Sequence, residues 1–581
     1  MRTDYDHYTV DIKNLKFTSD NHIVHPKTAI ITFFDNKKTK LAVEILGYQE
    51  NEEIYKWIDE GKPVILDQCY VHNFSLTEYR STRGLEKKST VIIRSFQSSS
   101  AFYESKFGTD FSFARFEEGG VVFDETHFAY GPVSFNSVFF GDGDVRFDHV
   151  YFREGVVDFG NVSFGAGIKK FNNSVFGAGK KDFQYCSFGP GEVSFANCEF
   201  DRGELSFINA DFGEGNVSFK IMRVKSGKVD FHYAKFGKGD ISFERADFGD
   251  CRVDFRAVEF NKGRINFNRS VFGQGEITFE GSEMLSGRFS FKRAALGKGS
   301  VSFELAEFEN AELFFEKSDM GEGDISFLGG RFGLLSLQSC HLDHYLDLRV
   351  AHCGYLDLSD TIARDIIDFQ PYDQEVMIDV MNLAGMRLLG RIYIDWQDNE
   401  VQKMICKQES SNRLKAEQFR ILKENFSVTG QYVDEDKAYV QFKRFEAIAD
   451  LEVQKKKSKW YWLWAWPQFG FKWLVFDKIG LYATDPVRVL ISMVFSFLIF
   501  TLIYIFLPFI FDTHIVSSLG DPDKLSSVAV AFYHSAITFL TIGYGDYYPS
   551  GIIRWISGFE GFVGLFMMSY FTVAFVRKIL R

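Results

Sequence analysis

From residue 123 to residue 327 a phenylalanine returns at every twelfth position, beginning Phe123, Phe135, Phe147 and Phe159 and ending at Phe327. A second apolar residue follows each one by five, from Phe128 to Phe332, with Val224, Met284, Leu296 and Met320 as the only substitutes for Phe. Most of the periodic Phe residues close a short apolar-polar-apolar triplet such as Val133-Ser134-Phe135, an alternation that predicts a brief strand with one buried face. Gly-x-Gly turns separate the units, as in Phe212-Gly213-Glu214-Gly215. A fixed period of this kind marks a repeat architecture, in which each unit buries its rings against its neighbours and stability accumulates along an axis. Two readings fit the period: a solenoid, or an antiparallel meander of twelve-residue hairpin units.

The pattern changes on either side. Residues 1–100 carry short apolar runs, Ala29–Phe34 and Pro63–Leu66, that predict a small strand-rich cap. The repeat region is assigned to residues 101–395. Over residues 396–458, Ala438, Phe442, Phe445 and Ala449 follow helical spacing, and Leu414, Phe419, Leu422 and Phe426 predict a partner helix. Gly430 is placed to end the first helix of this hairpin, with Asp434 or Asp436 opening the second. Residues 459–487 hold five of the eight tryptophans, between Trp460 and Trp473, next to Lys455–Lys457. Amphipathic rings favour the headgroup zone, so this stretch reads as an interfacial segment.

Residues 488–581 read as membrane-embedded. Val489 to Phe511 runs 23 residues without a charge, enough to cross a hydrocarbon core of about 30 Å. Trp555 to Val576 is a second span whose one carboxylate is Glu560. Basic residues flank the pair (Lys455–Lys457 and Arg488 before, Arg577, Lys578 and Arg581 after), whereas the intervening loop holds Asp512, Asp521, Asp523 and Asp546 against Lys524. The charge bias predicts two cytoplasmic termini and an outward loop, in a multi-pass protein of the plasma or inner membrane.

Composition narrows the function classes. The 581 residues include 66 Phe, and the formal charge of −12 argues against a dedicated nucleic-acid partner. The seven cysteines form no CxxC pair and no zinc spacing, and the polar N-terminus, MRTDYDHYTV, carries no secretory signal. Cys186 and Cys198, twelve apart at one small inward position, read as packing residues. No nucleophile–base pair or phosphate loop stands out, so neither an enzyme nor a resident cofactor is expected.

The triplets Ala210-Asp211-Phe212, Ala246-Asp247-Phe248 and Val229-Asp230-Phe231 resemble pentapeptide-repeat proteins. That resemblance implies a right-handed β-helix of square section with a central Phe pointing inward. Units here alternate five and seven residues, so four faces make a coil of 24. After Phe327 the spacing of Leu337, Leu348, Leu358 and Phe369 tightens to 10 or 11, near the family's usual coil of about twenty. Nine coils at about 4.8 Å each make a rod on the order of 40 Å. The predicted fold is therefore multidomain: a pentapeptide-repeat-like β-solenoid, a helical hairpin, and an α-helical two-transmembrane pore domain.

Between the two spans, Val528 to Leu540 predicts a helix half a bilayer long, followed by Thr541-Ile542-Gly543-Tyr544-Gly545-Asp546. Irregular backbone is tolerated at that depth only inside protein or along a water path. This arrangement resembles potassium channels of the two-transmembrane class. The resemblance implies a homotetramer in a lipid bilayer, its filter formed by Thr541, Ile542, Gly543, Tyr544 and Gly545. Potassium is the permeant ligand, held by oxygens at Thr541, Ile542, Gly543 and Tyr544. Gly543 and Gly545 suit the left-handed angles that turn carbonyls inward, Thr541 adds its hydroxyl, and Tyr544 packs outward on the pore helix.

Asp546, Tyr533 and Glu560 are the expected filter supports. Many relatives carry a carboxylate four residues before the first filter threonine, where this chain has Ile537, which leaves Tyr533 as the group within reach of Asp546. Glu560 is expected as a satisfied carboxylate behind the filter and Gly564 as the gating hinge. Met568 replaces the acidic cavity residue of strong rectifiers, so block by polyamines should be weak. No arginine-rich sensor helix precedes the pore, and voltage gating is not expected. The chain ends just past the inner helix, so regulation is expected from the N-terminal side. The competing readings are a membrane-tethered scaffold or sensor, a nonselective cation channel, and a DNA mimic.

Overall fold

The computed structural model describes residues 5–580 apart from 373, 458, 519 and 521–524, with backbone alone over 457–464. The chain forms two compact units, Met1–Gln408 and Glu409–Arg581.

The first unit is a β-solenoid of about 14 turns. Parallel strands stack at a register of 24: Val121 pairs with Val145, Val145 with Lys169, and Lys169 with Val193 on one face. On another face Val133 pairs with Val157. Parallel pairing at 24 excludes the meander, whose neighbours would be antiparallel and twelve apart. The tighter stretch also appears, with Ile325 on Leu346 and Leu346 on Ile367, before the last coil widens to Ile367 on Ile392.

The rings explain why the period is so strict. Phe123 stacks on Phe147 at 4.8 Å and Phe147 on Phe171 at 5.0 Å, while Phe135 stacks on Phe159 at 4.7 Å. The two columns meet edge to face, Phe135 against Phe147 at 5.3 Å and 88°. Offset-stacked and T-shaped contacts are the arrangements that the ring quadrupole favours. The five-residue offset builds two further columns, Phe128–Phe152–Phe176 and Phe140–Phe164–Phe188. Corner glycines follow from the stacking distance: a Cβ on Gly167 would lie 2.2 Å from the Gly143 carbonyl oxygen.

The turn two residues after each periodic Phe is left-handed, and its occupants are mostly not glycine. Asn161, Asn173 and Asn197 sit at φ 57°, Tyr185 at 58° and Ile221 at 59°. Each is held by its own coil and the next: Val162 N donates to Phe159 O at 3.3 Å and Asn161 N to Gln184 O at 2.9 Å. Some charged residues pair across adjacent coils, as in Arg223–Glu199 at 3.2 Å and Arg252–Glu276 at 3.2 Å, whereas Glu259, Glu283 and Glu307 stack as a like-charged column.

Both ends of the solenoid depart from the predicted boundary. Val64–Ile65 already pairs with Phe96–Gln97, and Tyr70 with Phe102, so the first coils lie before residue 101. An antiparallel hairpin sheet (His7–Lys13, Lys27–Phe34, Lys40–Tyr48) joins them through Tyr48 on Tyr70. After that sheet, α1 (Asn51–Asp59) buries Ile54, Tyr55 and Ile58. The early coils are illegible in the sequence because a second helix, α2 (Leu76–Thr82), interrupts the twelve-residue period. At the far end α3 (Val401–Cys406) buries Val401, Met404 and Ile405 against the last strands and belongs to this unit, not to the hairpin.

Two lysines interrupt the inward Val columns. Lys169 and Lys181 are 0% and 1% exposed, and burial pushes both ammonium groups down to about 8. Lys181 Nζ donates to the Asp201 and Arg202 carbonyls at 3.1 and 3.3 Å, whereas Lys169 Nζ has no hydrogen-bond partner among the described residues. Cys186 and Cys198 donate to the Phe159 and Phe171 carbonyls, and burial pushes both thiols up.

The second unit begins with the hairpin of α4 (Asn412–Val428) and α5 (Tyr432–Lys457), joined across Gly430 at φ 76°. Phe419 stacks on Phe445 at 5.6 Å. α5 opens at Tyr432, so Asp434 and Asp436 lie inside the helix, past its capping position. α6 (Lys459–Phe471) leads into a π-helical stretch, Lys472–Ile479. Trp466 and Trp473 are about half exposed, while the side chains of Trp460, Tyr461, Trp462 and Trp464 lie outside the described residues. So do the loop charges Asp521, Asp523 and Lys524, and Arg581. Three helices complete the unit: α7 (Pro486–Phe506), α8 (Ser527–Phe539) and α9 (Ile553–Ile579).

Candidate functional site: the loop between α8 and α9

α7 and α9 are both long and apolar enough to cross a membrane. The Asp485 carboxylate starts α7, accepting from Val487 N at 3.0 Å and Arg488 N at 3.2 Å. Ser526 Oγ starts α8 by accepting from Ala529 N at 3.3 Å. At 1.5 Å per residue the 13 residues of α8 span about 20 Å, short of a full crossing. The chain must therefore turn back within the apolar layer.

The turn is made by the last carbonyls of α8. Thr541 N donates to Thr538 O at 3.0 Å, and Ile542 N and Gly543 N both reach Ile537 O, at 2.8 and 3.3 Å. Left-handed angles recur at every second residue: Thr541 at φ 56°, Gly543 at 61° and Gly545 at 77°. Alternating handedness turns successive peptide planes toward one side, which is how a short loop can line up carbonyl oxygens. A Cβ on Gly543 or Gly545 would meet nothing within 4 Å, so their role is backbone angle and not space. Thr541 shares that angle without being glycine, and its hydroxyl donates to Leu540 O at 2.7 Å. The expected free hydroxyl is thus taken up locally.

The outer end of the loop is pinned. Tyr533 Oη donates to Asp546 Oδ2 at 2.7 Å, and Tyr547 N to Asp546 Oδ1 at 3.1 Å. The Asp546 carbonyl accepts from Ser518 N at 2.8 Å, beside an antiparallel ribbon of Ile515–Ser517 with Tyr547–Pro549. Thr541 to Gly545 are all exposed on the single chain. Tyr544 is 72% exposed, so its ring does not pack on the chain's own pore helix as expected.

Behind the loop, Glu560 is fully buried and ties three helices together. Its two oxygens accept from Tyr504 Oη of α7 and Ser535 Oγ of α8, each at 2.5 Å. His534 Nε2 lies 3.2 Å from Ser557 Oγ one turn away. A buried carboxylate is tolerated when its lone pairs are satisfied. The sequence pattern does not single out Tyr504, His534, Ser535 or Ser557. The signal available is small: polar residues inside apolar spans, with Ser557 and Glu560 three apart on one helix face.

At Gly564 the backbone of α9 lies close against the end of α8. A Cβ there would sit 2.0 Å from Phe539 O, and α9 runs unbroken through the position. The glycine is required by helix packing here, whatever bending it also permits.

Residues 492–581 match the model of a family described as "Ion channel". The chain matches no curated protein and no solved structure. With its two membrane-capable helices and re-entrant loop, the C-terminal part is an ion channel domain preceded by a β-solenoid. That match, over the C-terminal residues of a 581-residue chain, supports an ion channel.

Proposed function

We propose that this chain is the subunit of a homotetrameric, potassium-selective channel whose filter is Thr541–Gly545. The observation that carries the reading is the left-handed angle at Thr541, Gly543 and Gly545, on a loop that follows a half-length helix. Carbonyl oxygens of Thr541, Ile542, Gly543 and Tyr544 replace the water shell of a dehydrated cation. The C-terminal end of α8 adds partial negative charge where the cation waits. One chain supplies one wall, and the exposure of five consecutive filter residues supports a ring of copies. Asp546 with Tyr533 holds the outer end of the filter, and Glu560 fixes its backing. Both termini are cytoplasmic in this reading, and the solenoid acts on the pore from that side. Gly564 serves as the point where α9 bends on opening.

Reconstitution in liposomes with opposed potassium and sodium gradients tests the reading. A reversal potential near the potassium equilibrium value is expected. A value near zero would make the pore a nonselective cation channel, and absence of current would favour a tethered scaffold.

A further inference from the structure

The last turn of α9 carries Arg577 and Lys578, and both are held by one carboxylate of the helical hairpin. Asp436 Oδ1 accepts from Arg577 Nη2 at 3.1 Å, and Oδ2 from Lys578 Nζ at 2.8 Å. The Arg577 guanidinium also lies over the Tyr439 ring at 4.5 Å, one turn further along α5. Asp436 is 7% exposed, so this is a partly desolvated ion triad and not a solvated surface pair.

A second ion pair ties the same helix to the approach of α7. Arg444 donates to Asp477 Oδ1 through Nε at 2.9 Å and Nη2 at 2.8 Å. Asp477 lies in the π-helical stretch, which runs into a strained turn. Leu481, Tyr482 and Ala483 have φ of 44°, 55° and 59°, three successive left-handed residues without a glycine. Such backbone persists only where its surroundings over-determine it. Here they do: the ring of Tyr570 of α9 fills the place of a Gly480 side chain, and Arg577 Nη1 reaches Tyr482 O at 3.5 Å. α5 thus grips the end of α9 through Asp436 and the root of α7 through Arg444.

We infer that α5 is a latch on the pore, with Asp436 holding the end of the inner helix in its closed position. This inference rests on the tetrameric channel reading above. In a ring of four chains the ends of the four α9 helices meet at the mouth of the pore, each carrying Arg577 and Lys578, and like charges brought together repel. Asp436 neutralises them and lets the four helix ends stay together. Withdrawing α5 removes the counter-charge, so the ends repel and the mouth widens. A pull on the hairpin is thereby converted into opening, and the strained Leu481–Ala483 turn is the joint that yields.

Single-channel recording of the full chain in planar bilayers tests the latch. Asp436→Asn should raise open probability about fivefold, the low end of ordinary coupling between sites. The charge swap D436K with R577E and K578E should return it to the wild-type value, which a mere folding defect would not do. A conducting wild type with D436N unchanged, or a swap that fails to restore it, overturns the latch alone. A wild type silent to potassium overturns the latch and the channel reading together.

Discussion

The solenoid and the pore loop use one backbone device to opposite ends. In the solenoid the left-handed residue of each turn has its N–H paired to the following coil, as Asn161 does with Gln184 O at 2.9 Å and Asn197 with Lys220 O at 2.8 Å. The angle there closes a corner, and the backbone donor is used within the chain. In the pore loop the N–H groups of Ile542 and Gly543 turn back to a single carbonyl, Ile537 O. That leaves Thr541 to Gly545 as a row of exposed residues. The difference teaches what to look for in a loop: not the strained angle itself, but whether its hydrogen-bonding groups are spent.

Three substitutions would break or sharpen this contrast. The largest effect is expected from Gly543→Ala. Within the chain the added methyl meets nothing, so the fold should survive, but each copy bears a left-handed alanine costing about 1–2 kcal/mol, or about 4–8 kcal/mol in the proposed filter of four. Liposome flux should show loss of potassium transport with tetramer assembly intact on size exclusion.

Phe207→Ala comes next. That ring stacks on Phe183 and Phe231, each at 4.9 Å, and meets Phe195 and Phe219 edge-on. Its loss should destabilise the solenoid by about 4 kcal/mol in denaturant titration, with ion selectivity unchanged.

The smallest effect has the opposite sign. Lys169→Met replaces a buried, unpartnered ammonium with a side chain of similar length and should stabilise the solenoid by about 2–3 kcal/mol at neutral pH. The folded-state value near 8 lies below the ordinary 10.5, so the unfolded chain binds the extra proton between those limits. Wild-type stability therefore rises with pH across that window. The advantage of K169M should be full below pH 8 and vanish toward pH 10.5. A constant advantage at every pH would mean packing, not charge, sets the difference.

Much of this was legible along the chain because the determinants are local or periodic. A Phe at every twelfth position specifies the core of a repeat wherever the repeat goes, since each ring need only meet its translated copy. Two apolar stretches of membrane length, with a half-length helix and Thr541–Asp546 between them, specify the pore loop by hydrophobicity and backbone angle. Tyr533 was legible as a partner for Asp546 through the gap that Ile537 leaves. The early coils around Val64 and Phe96 were not, because an inserted helix erases the period there.

The sequence by itself determined the repeat, the two spans and the loop between them, because each follows from the order of residues along one segment. Tertiary structure decided the rest. Tyr504, Ser535 and Glu560 come from three helices, and no spacing announces that one buried carboxylate will join them. The close approach of Gly564 to Phe539 O appears only in three dimensions. Asp436 and Arg577 are separated by 141 residues, and only packing of the hairpin against α9 makes one the counter-ion of the other. Charges that meet across such distances are chosen by geometry, since neighbours in space leave no periodic trace in a single chain.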